Sequence, residues 1–442
     1  MRQYFDELIS WASSQLQGDE VLTASLSAEG SDFVRFNRGE VRQAGSVQQC
    51  RLSIDLIEGA VHAEAAVQLA QDLTLDQARL STLIGQLREQ RALAPPDPYL
   101  TYATDAEAGS TELIHDGTVP EPGWAIDRIQ SAAAGNDLVG IYAAGSIYNG
   151  FANSLGQRNW FECSTFNFDW SFYLQADKAV KNLYAGRHWD EAALESKLSS
   201  SADQLSALAR PPVTLDPGKY RTYLAPAAMV SLVDMICWGG FSLESHRTKQ
   251  TPLLRMATEG ATLNPSVRII EDTAKGVAPN FQQNGFARPD EVVLIDSGTY
   301  NDWLVSPRSG IEYDVPNNGA APWEQPEAFA MGGGSLPGDE ILGVLDTGLY
   351  VGNLWYLNFS DRAACRTTGM TRFATFWVEN GEIVAPANVM RFDDTAYHML
   401  GSNLVGLTED VEIILDPSTY VSRSTSSFRL PGAVVDEMAF TL

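Results

Sequence analysis

The sequence predicts an α+β protein of two domains, with antiparallel sheets and helices in the first and a mainly β second domain. Three observations lead to this prediction. The chain has 442 residues, more than one compact domain usually holds. In the first half, segments with a helical period alternate with segments of two-residue period. A proline pair within ARPPVTLDPGKY then interrupts the chain. The predicted domains are therefore residues 1–212 and 213–442.

The first domain is predicted to begin with an amphipathic helix, because Tyr4, Leu8 and Ala12 share one helical face. The alternation of apolar and polar residues then predicts strands over 21–28, 33–37, 48–56 and 60–69. A helix over 75–93 ends before a proline pair. Residues 95–123 show little periodicity and are predicted to form a loop.

A helix over 124–134 leads to the clearest strand pattern of the chain. Every second position of this pattern is apolar: Phe166, Phe168, Trp170, Phe172 and Leu174. The alternation predicts a half-buried antiparallel strand whose aromatic side chains lie in the core. Further strands are predicted over 138–144, 146–149 and 158–163, and a helix over 189–208 closes the domain. The two halves of the first domain thus follow the same order of helix, strands and helix. An internal duplication would produce this order, and so would a simple meander.

The second domain is predicted to open with a strand over 220–224 and a helix that starts near Pro226, in YLAPAAMVSLVDMICWGG. A short helix is predicted over 338–345. The other segments are short strands between turns, over 267–271, 291–296, 301–305, 373–379, 382–385 and 411–415. The helix after Pro226 is therefore the main helical element of a mainly β domain.

Charge and cysteine usage exclude several classes of partner. The chain has 56 acidic and 30 basic residues, so its field repels polyanions and nucleic acid is not an expected partner. Its four cysteines, Cys50, Cys163, Cys237 and Cys365, form no CxxC pair and are expected to be buried thiols in a reducing compartment. No signal peptide and no apolar run of the roughly 20 residues that span a membrane are recognisable. The sequence thus predicts a cytoplasmic protein without a membrane partner.

Metal-ligating residues are sparse. The five histidines lie at least 50 residues apart, so no HExxH-type zinc motif is present. The weak candidates for a divalent metal site are Asp234, Glu244 and His246. The alternative interpretation is an exposed polar segment after a helix, and the neighbouring Arg247 and Lys249 disfavour a cation. The chain also has no GxSxG nucleophile motif.

Residues 346–392 resemble the last third of the TldD/PmbA family, which is also called the modulator of DNA gyrase family. GLYV at 348–351 is similar to one strand of the family, and FWVENGEI at 376–383 is similar to its most specific segment. Within that segment, Trp377, Glu379, Asn380 and Gly381 match the family pattern, which is expected to concern the fold more than catalysis. YRTYLAPAAMVSLVD and the NSLG turn agree in order, so the resemblance covers roughly residues 20–440.

The resemblance implies a protease complex that contains zinc and acts on unfolded or short peptides. In that family the TldD-type subunit carries an HExxxH helix, whereas the TldE-type subunit, also called PmbA, lacks it and supports the site. When the helix entries are aligned, Val233, Asp234 and Trp238 stand where the two histidines and the glutamate would be. No cysteine follows Cys365, although TldD-type chains carry a cysteine ligand near the C-terminus. The resemblance therefore implies a TldE-like chain without a cofactor of its own.

Three functional hypotheses follow. The first is a catalytically silent subunit whose partners are a TldD-like peptidase subunit and unfolded peptide. The second is a stand-alone homodimer of the same fold that binds peptide or has a structural role. The third is a peptidase with a relocated metal site, built from Asp234, Glu244 and His246. Whether the chain is itself an enzyme depends on which hypothesis holds.

Overall fold

The computed structural model describes residues 1–176 and 178–442, which fold around two β-sheets. The helices are α1 (Arg2–Ser13), α2 (Leu73–Arg91), α3 (Ala106–Gly109), α4 (Pro122–Ala132), α5 (Glu191–Leu208), α6 (Pro226–Cys237), α7 (Leu243–Arg247), α8 (Leu254–Glu259), α9 (Pro307–Tyr313) and α10 (Ile341–Leu345). A 3-10 turn covers Gly338–Glu340 and a π-helical turn covers His398–Ser402. Among the described residues, every helix is too short or too polar to cross a lipid bilayer.

Within residues 1–176 and 178–442, eighteen strands form the two sheets. They are β1 (Val21–Asn37), β2 (Glu40–Glu58), β3 (Val61–Gln68), β4 (Thr111–His115), β5 (Asp137–Asn153), β6 (Arg158–Gln175), β7 (Lys178–Gly186), β8 (Gly218–Leu224), β9 (Ile269–Glu271), β10 (Val292–Asp296), β11 (Thr299–Tyr300), β12 (Ala328–Met331), β13 (Gly348–Asp361), β14 (Arg366–Glu379), β15 (Glu382–Pro386), β16 (Arg391–Thr395), β17 (Leu404–Leu415) and β18 (Ser427–Phe440). The predicted α+β class, with a mainly β second half, is confirmed.

The first sheet has seven strands in the order β3-β2-β1-β5-β6-β4, and β7 also pairs with β6. Its pairs are antiparallel except β4 with β6, which is parallel. Two runs of helix, three strands and helix meet where β1 pairs with β5. Helices α1 and α2 cover one part of the sheet, and α4 and α5 cover another. The predicted aromatic core is confirmed at Phe166, Phe168, Trp170 and Phe172, which are fully buried, whereas Leu174 is exposed near the strand end.

The second sheet has eleven strands, with β11-β10-β9-β12-β18-β16-β14-β13-β8 as its main path. Strand β15 also pairs with β14, and both β17 and β8 pair with β18. The sheet is mixed, because β12 with β18 and β13 with β8 are parallel pairs. Helix α6 packs on this sheet against β13 and β18. Its apolar side chains belong to the largest core cluster of the second half.

Three of the differences from the predicted elements have physical causes. The strands predicted over 21–28 and 33–37 are one strand, and so are those over 138–149, because Ser31 pairs with Gly145 and the ladder continues. The predicted loop over 95–123 contains β4, which pairs with a strand more than 40 residues later in the chain. Residues 301–305 are not a strand, because only Leu304 forms an isolated bridge there. Strand β18, which holds the second sheet together, was not predicted.

The two halves share apolar contacts. Ala374 and Phe376 of β14 pack in the same cluster as α5, and Phe281 packs against Phe151 and Phe161 of the first sheet. The predicted boundary at residue 212 falls in the connection between α5 and β8. The division into domains 1–212 and 213–442 stays a prediction.

Helix α5 begins with a capping aspartate whose removal has a testable cost. The Asp190 carboxylate accepts hydrogen bonds from the backbone N–H groups of Ala192 and Ala193, at 2.9 and 3.2 Å. We expect Asp190→Ala to lower the free energy of unfolding by about 1 kcal/mol, the usual value of such a cap. Urea unfolding would measure the loss. Asp203→Ala, at an exposed position of the same helix, is the control, and an equal loss in both variants would contradict the capping role.

Candidate functional site

Helix α6 forms where the sequence predicted it. Pro226 occupies the first turn, where its missing N–H costs nothing. The helix is apolar on most of its surface, and seven of its twelve residues are buried. It ends at Trp238, whose ψ of 78° is not helical, and Gly239 follows with φ of +83°. The helix is therefore fixed by core packing and stopped by the glycine pair.

The three family-motif positions on α6 point in different directions. Val233 is fully buried in the core, whereas 56% of Trp238 is exposed. This follows from geometry, since five residues turn the helix by about 500°. Asp234 is exposed, but neighbouring protein desolvates its carboxyl and raises its pKa, and the charge of Asp416 adds to the rise. One carboxylate is thus the only metal-ligating group among these three positions.

The thiol of Cys237, the other potential metal ligand on α6, is not available to a metal ion. Cys237 is buried, and burial raises the pKa of its thiol well above the usual value, which keeps it protonated. In the part of the chain that the structure describes, no group of three or more His, Cys, Asp or Glu side chains is arranged to hold a metal ion. A zinc ion needs about three protein ligands. The residues present at the α6 positions therefore do not fit zinc.

Glu244 and His246 lie on the next helix, α7. The Nε2 atom of His246 lies 2.8 Å from the Gly240 carbonyl oxygen, to which it donates, and 3.1 Å from the Thr251 hydroxyl. Burial lowers the pKa of His246, and its ring packs on Tyr300 at 4.7 Å between centroids. Glu244 is exposed. Within the described residues, no hydrogen bond or ion pair joins Glu244 or His246 to Asp234.

Trp377, Glu379, Asn380 and Gly381 lie at the end of β14 and in the turn to β15. Asn380 and Gly381 have φ of +50° and +77°, as an Asn-Gly hairpin turn requires. The Gly381 N–H donates to the Asp346 carbonyl at 2.8 Å. The Trp377 indole N–H donates to the Glu379 carboxylate at 2.8 Å, and its ring packs edge-on against Tyr220. These contacts stabilise the β14–β15 hairpin, and the Trp377 ring packs against the core cluster that contains the apolar side chains of α6.

Sequence reasoning missed a surface at the end of α6, which we call the aromatic–arginine surface. It consists of two stacked groups beside the β13–β14 hairpin: Trp238 with Phe359 and Arg362, and Trp355 with Tyr356 and Arg372. The Arg362 guanidinium lies 4.9 Å from the Trp238 ring and 5.0 Å from Phe359. The Arg372 guanidinium lies 4.5 Å from the Trp355 ring. Stacking of this kind orients both cations, and in the described part of the chain neither of them forms an ion pair.

The segment 416–426, between β17 and β18, reaches from the second half to the first sheet. Arg423, which is 8% exposed, inserts between β1, β5 and β6. Its guanidinium donates to the Gly145 carbonyl at 3.1 Å and to the Thr165 carbonyl at 2.8 Å. Its backbone N–H donates to the buried Glu29 carboxylate. This segment lies where TldD-type chains were expected to carry a cysteine. In this chain it joins the two halves through the hydrogen bonds of Arg423.

The fold and the site define an α+β protein of two sheets. Its apolar helix α6, which packs on the second sheet, carries no histidine. Residues 217–442 match the model for the PmbA/TldA metallopeptidase C-terminal domain. Since this match covers half of the chain, the protein belongs to the TldD/PmbA metallopeptidase family, as the sequence resemblance implied. No curated protein matches the chain.

Solved structures share the fold over the whole chain. TldE from Thermococcus kodakarensis has a TM-score of 0.75 and 14% identity, and covers 99% of this chain and 100% of its own. A protein from Bacteroides thetaiotaomicron that is described as a modulator of DNA gyrase has a TM-score of 0.76 and 13% identity. The match covers 99% of this chain and 98% of that protein. A second protein of that description, from Thermotoga maritima, has a TM-score of 0.73 and 14% identity, and the match covers 99% of both chains. At these identities the likeness concerns the fold alone.

Proposed function

We propose that this chain is a TldE/PmbA-like subunit without a peptidase centre, which supports a TldD-type zinc peptidase acting on unfolded or short peptides. The observation that carries the proposal is the composition of α6. The helix keeps its place on the second sheet, but Val233, Asp234 and Trp238 supply one carboxylate and no imidazole. A zinc peptidase needs an open coordination position and a general base beside several ligands. In this proposal the partner supplies all of them.

The aromatic–arginine surface supports an association with a partner. Trp238, Trp355 and Tyr356 are 56%, 45% and 69% exposed. Aromatic and arginine side chains are enriched at the centres of protein interfaces, where desolvation strengthens their contacts. Trp238 stands at the end of α6, so a partner on this surface would cover the end of the helix. In this proposal zinc is bound by the partner alone.

The first sheet offers a means of holding an extended peptide. Among the described residues β3 pairs only with β2, so its outer edge carries backbone groups without a strand partner. Strand addition at such an edge reads backbone groups rather than side chains. This suits a subunit that presents unfolded peptides of varied sequence. The four free, buried cysteines suit our placement of the protein in the cytoplasm.

Co-purification and a peptidase assay test the proposal. This chain and the HExxxH-bearing relative of its own organism would be produced separately and together, and cleavage of casein fragments would be measured. We expect a stable complex, with cleavage that requires both chains. Cleavage by this chain alone, lost with a chelator, would overturn the proposal in favour of a relocated metal site. A stable homodimer that binds casein fragments, with no heteromeric complex, would favour the stand-alone binding protein.

Arg362 provides a test of the surface itself. Its guanidinium holds the Trp238 ring and donates to the Gln250 carbonyl at 2.7 Å. We expect Arg362→Ala to weaken the complex by about tenfold, because one stacked side chain at an interface centre is worth at least 1 kcal/mol. Surface plasmon resonance on the paired chains would measure the change. Arg255→Ala is the matched control, since Arg255 stacks on Tyr397 elsewhere, and equal weakening in both variants would sink the assignment.

A further inference from the structure

A cavity of about 530 Å³ lies between the two halves, on the face of the first sheet. Its floor comes from β1 and β5, and its walls come from residues 279–283, 321–327 and 422–426. This volume falls within the range of small-molecule sites. The cavity lies apart from α6, because no α6 residue lines it. A ligand in this cavity would therefore not contact α6.

Hydroxyl groups form much of the cavity lining. Ser25 and Ser27 come from β1, and Ser422, Ser424, Thr425 and Ser426 come from the segment after β17. Within the described residues the Ser27 hydroxyl and the Asn149 amide, which are cross-strand neighbours on the floor, make no hydrogen bond. Hydroxyl and amide groups both donate and accept. The floor thus suits a ligand whose own groups also do both.

One amide on the wall lacks a partner although it is buried. Gln282 is 5% exposed and lines the cavity. Its carbonyl oxygen accepts from the Asn284 N–H, but in the part of the chain that the structure describes its Nε2 has no acceptor. A buried donor without an acceptor costs free energy, so an acceptor from a ligand would be favoured there.

The charges on the wall are neutralised within the protein. Glu327 pairs with Arg288 at 2.9 Å. The Arg423 guanidinium lies near the buried Glu29 carboxylate, and it donates to carbonyl and hydroxyl oxygens of the first sheet. The net charge of −26 also repels anions. At the rim, 55% of the Trp323 side chain is exposed. A neutral ligand with an apolar ring face would stack there.

The floor does not suit a peptide bound by strand addition. Strand β1 is paired on both edges, with β2 and β5, and β5 is paired on both edges, with β1 and β6. A ligand on this floor therefore meets side chains rather than a backbone edge. Together, the hydroxyl and amide lining, the unpartnered Gln282 donor and the exposed Trp323 favour a carbohydrate over a polypeptide.

We propose that this cavity binds a neutral oligosaccharide, with one sugar ring on Trp323 and an acceptor oxygen on Gln282. Isothermal titration calorimetry of the full chain with tri-N-acetylchitotriose tests it, because this sugar offers both hydroxyl groups and acetamido carbonyls. Cellotriose, which lacks the acetamido groups, is the comparison ligand. We expect saturable binding of both, tighter for tri-N-acetylchitotriose.

The variants identify the site. Trp323→Ala is expected to weaken binding by about tenfold or more through loss of the stacked ring, and Gln282→Leu to reduce the preference for the acetamido sugar. Trp124→Ala, at another exposed tryptophan, is expected to bind as wild type. Absence of saturable binding in wild type would overturn the proposal. So would binding that survives both cavity variants, or casein peptides that bind in place of sugar and are lost in Trp323→Ala. Circular dichroism would confirm that each variant is folded.

Discussion

Replacing Arg423 by alanine is expected to lower the free energy of unfolding by about 3–5 kcal/mol, because it removes several hydrogen bonds made by one buried charged group, each worth about 1.5–3 kcal/mol. The substitution leaves the Glu29 carboxylate, which is 5% exposed, without its nearby cation. It also deprives the carbonyl oxygens of Gly145 and Thr165 of their donors. Because these contacts join the segment after β17 to the first sheet, the loss falls on the junction between the halves.

Urea unfolding, followed by tryptophan fluorescence and far-ultraviolet circular dichroism, measures this effect. We expect the transitions of the variant to separate between the two probes, since halves that are no longer locked together unfold less cooperatively. Arg366→Ala is the control, because Arg366 is an exposed arginine paired with Asp393 and such pairs contribute about 0–1 kcal/mol. A loss in Arg423→Ala no larger than in this control would contradict the role of Arg423.

The second large effect concerns pH and Glu271. This carboxyl group is 4% exposed, and burial raises its pKa from 4.5 to about 7, although Arg288 and two backbone N–H groups oppose the rise. The folded state therefore binds the proton more tightly than the unfolded chain does. Its contribution to stability is fully present below about pH 4.5 and is lost as the pH rises through about 7. The loss amounts to about 3 kcal/mol.

Glu271→Gln isolates this contribution, because glutamine has the shape of the protonated acid. We expect the variant to match wild type at about pH 4 and to be the more stable protein at about pH 8. Glu20→Gln is a control of opposite sign: hydrogen bonds from Arg88 lower the pKa of Glu20 to about 2. That variant should be the less stable at neutral pH and approach wild type as the pH falls towards 2. A stability difference for Glu271→Gln that is constant with pH would rule out a protonated Glu271.

Local signals in the sequence predicted much of this fold. Pro226 followed by an apolar run predicted α6, the alternation from Phe166 predicted β6, and Asn380-Gly381 predicted a hairpin turn. The lengths of β1 and β5 were not predicted, because Gly30 and Gly145 resemble breaks. Gly145 is needed for the close approach of the two strands, since a Cβ on it would lie 2.1 Å from the Gly30 carbonyl oxygen. A periodic pattern cannot show that two such positions face each other.

The site divides in the same way. Sequence alone shows which residues stand at the α6 positions, but not that Val233 is buried while Trp238 is exposed. Arg362 reaches Trp238 across 124 residues of chain, and Arg423 reaches Thr165 across 258. Neither arginine belongs to a motif, because each acts through a contact that only the folded chain creates. Such long-range contacts account for most of what sequence reasoning missed.

The central claim, that this chain has no zinc centre of its own, is tested most directly by its metal content. The chain would be produced alone in zinc-supplemented medium, and its zinc would be measured by inductively coupled plasma mass spectrometry. We predict less than about 0.1 zinc per chain, since a peptidase site needs about three ligands besides water. About one zinc per chain, with peptide cleavage that a chelator abolishes, would contradict the account.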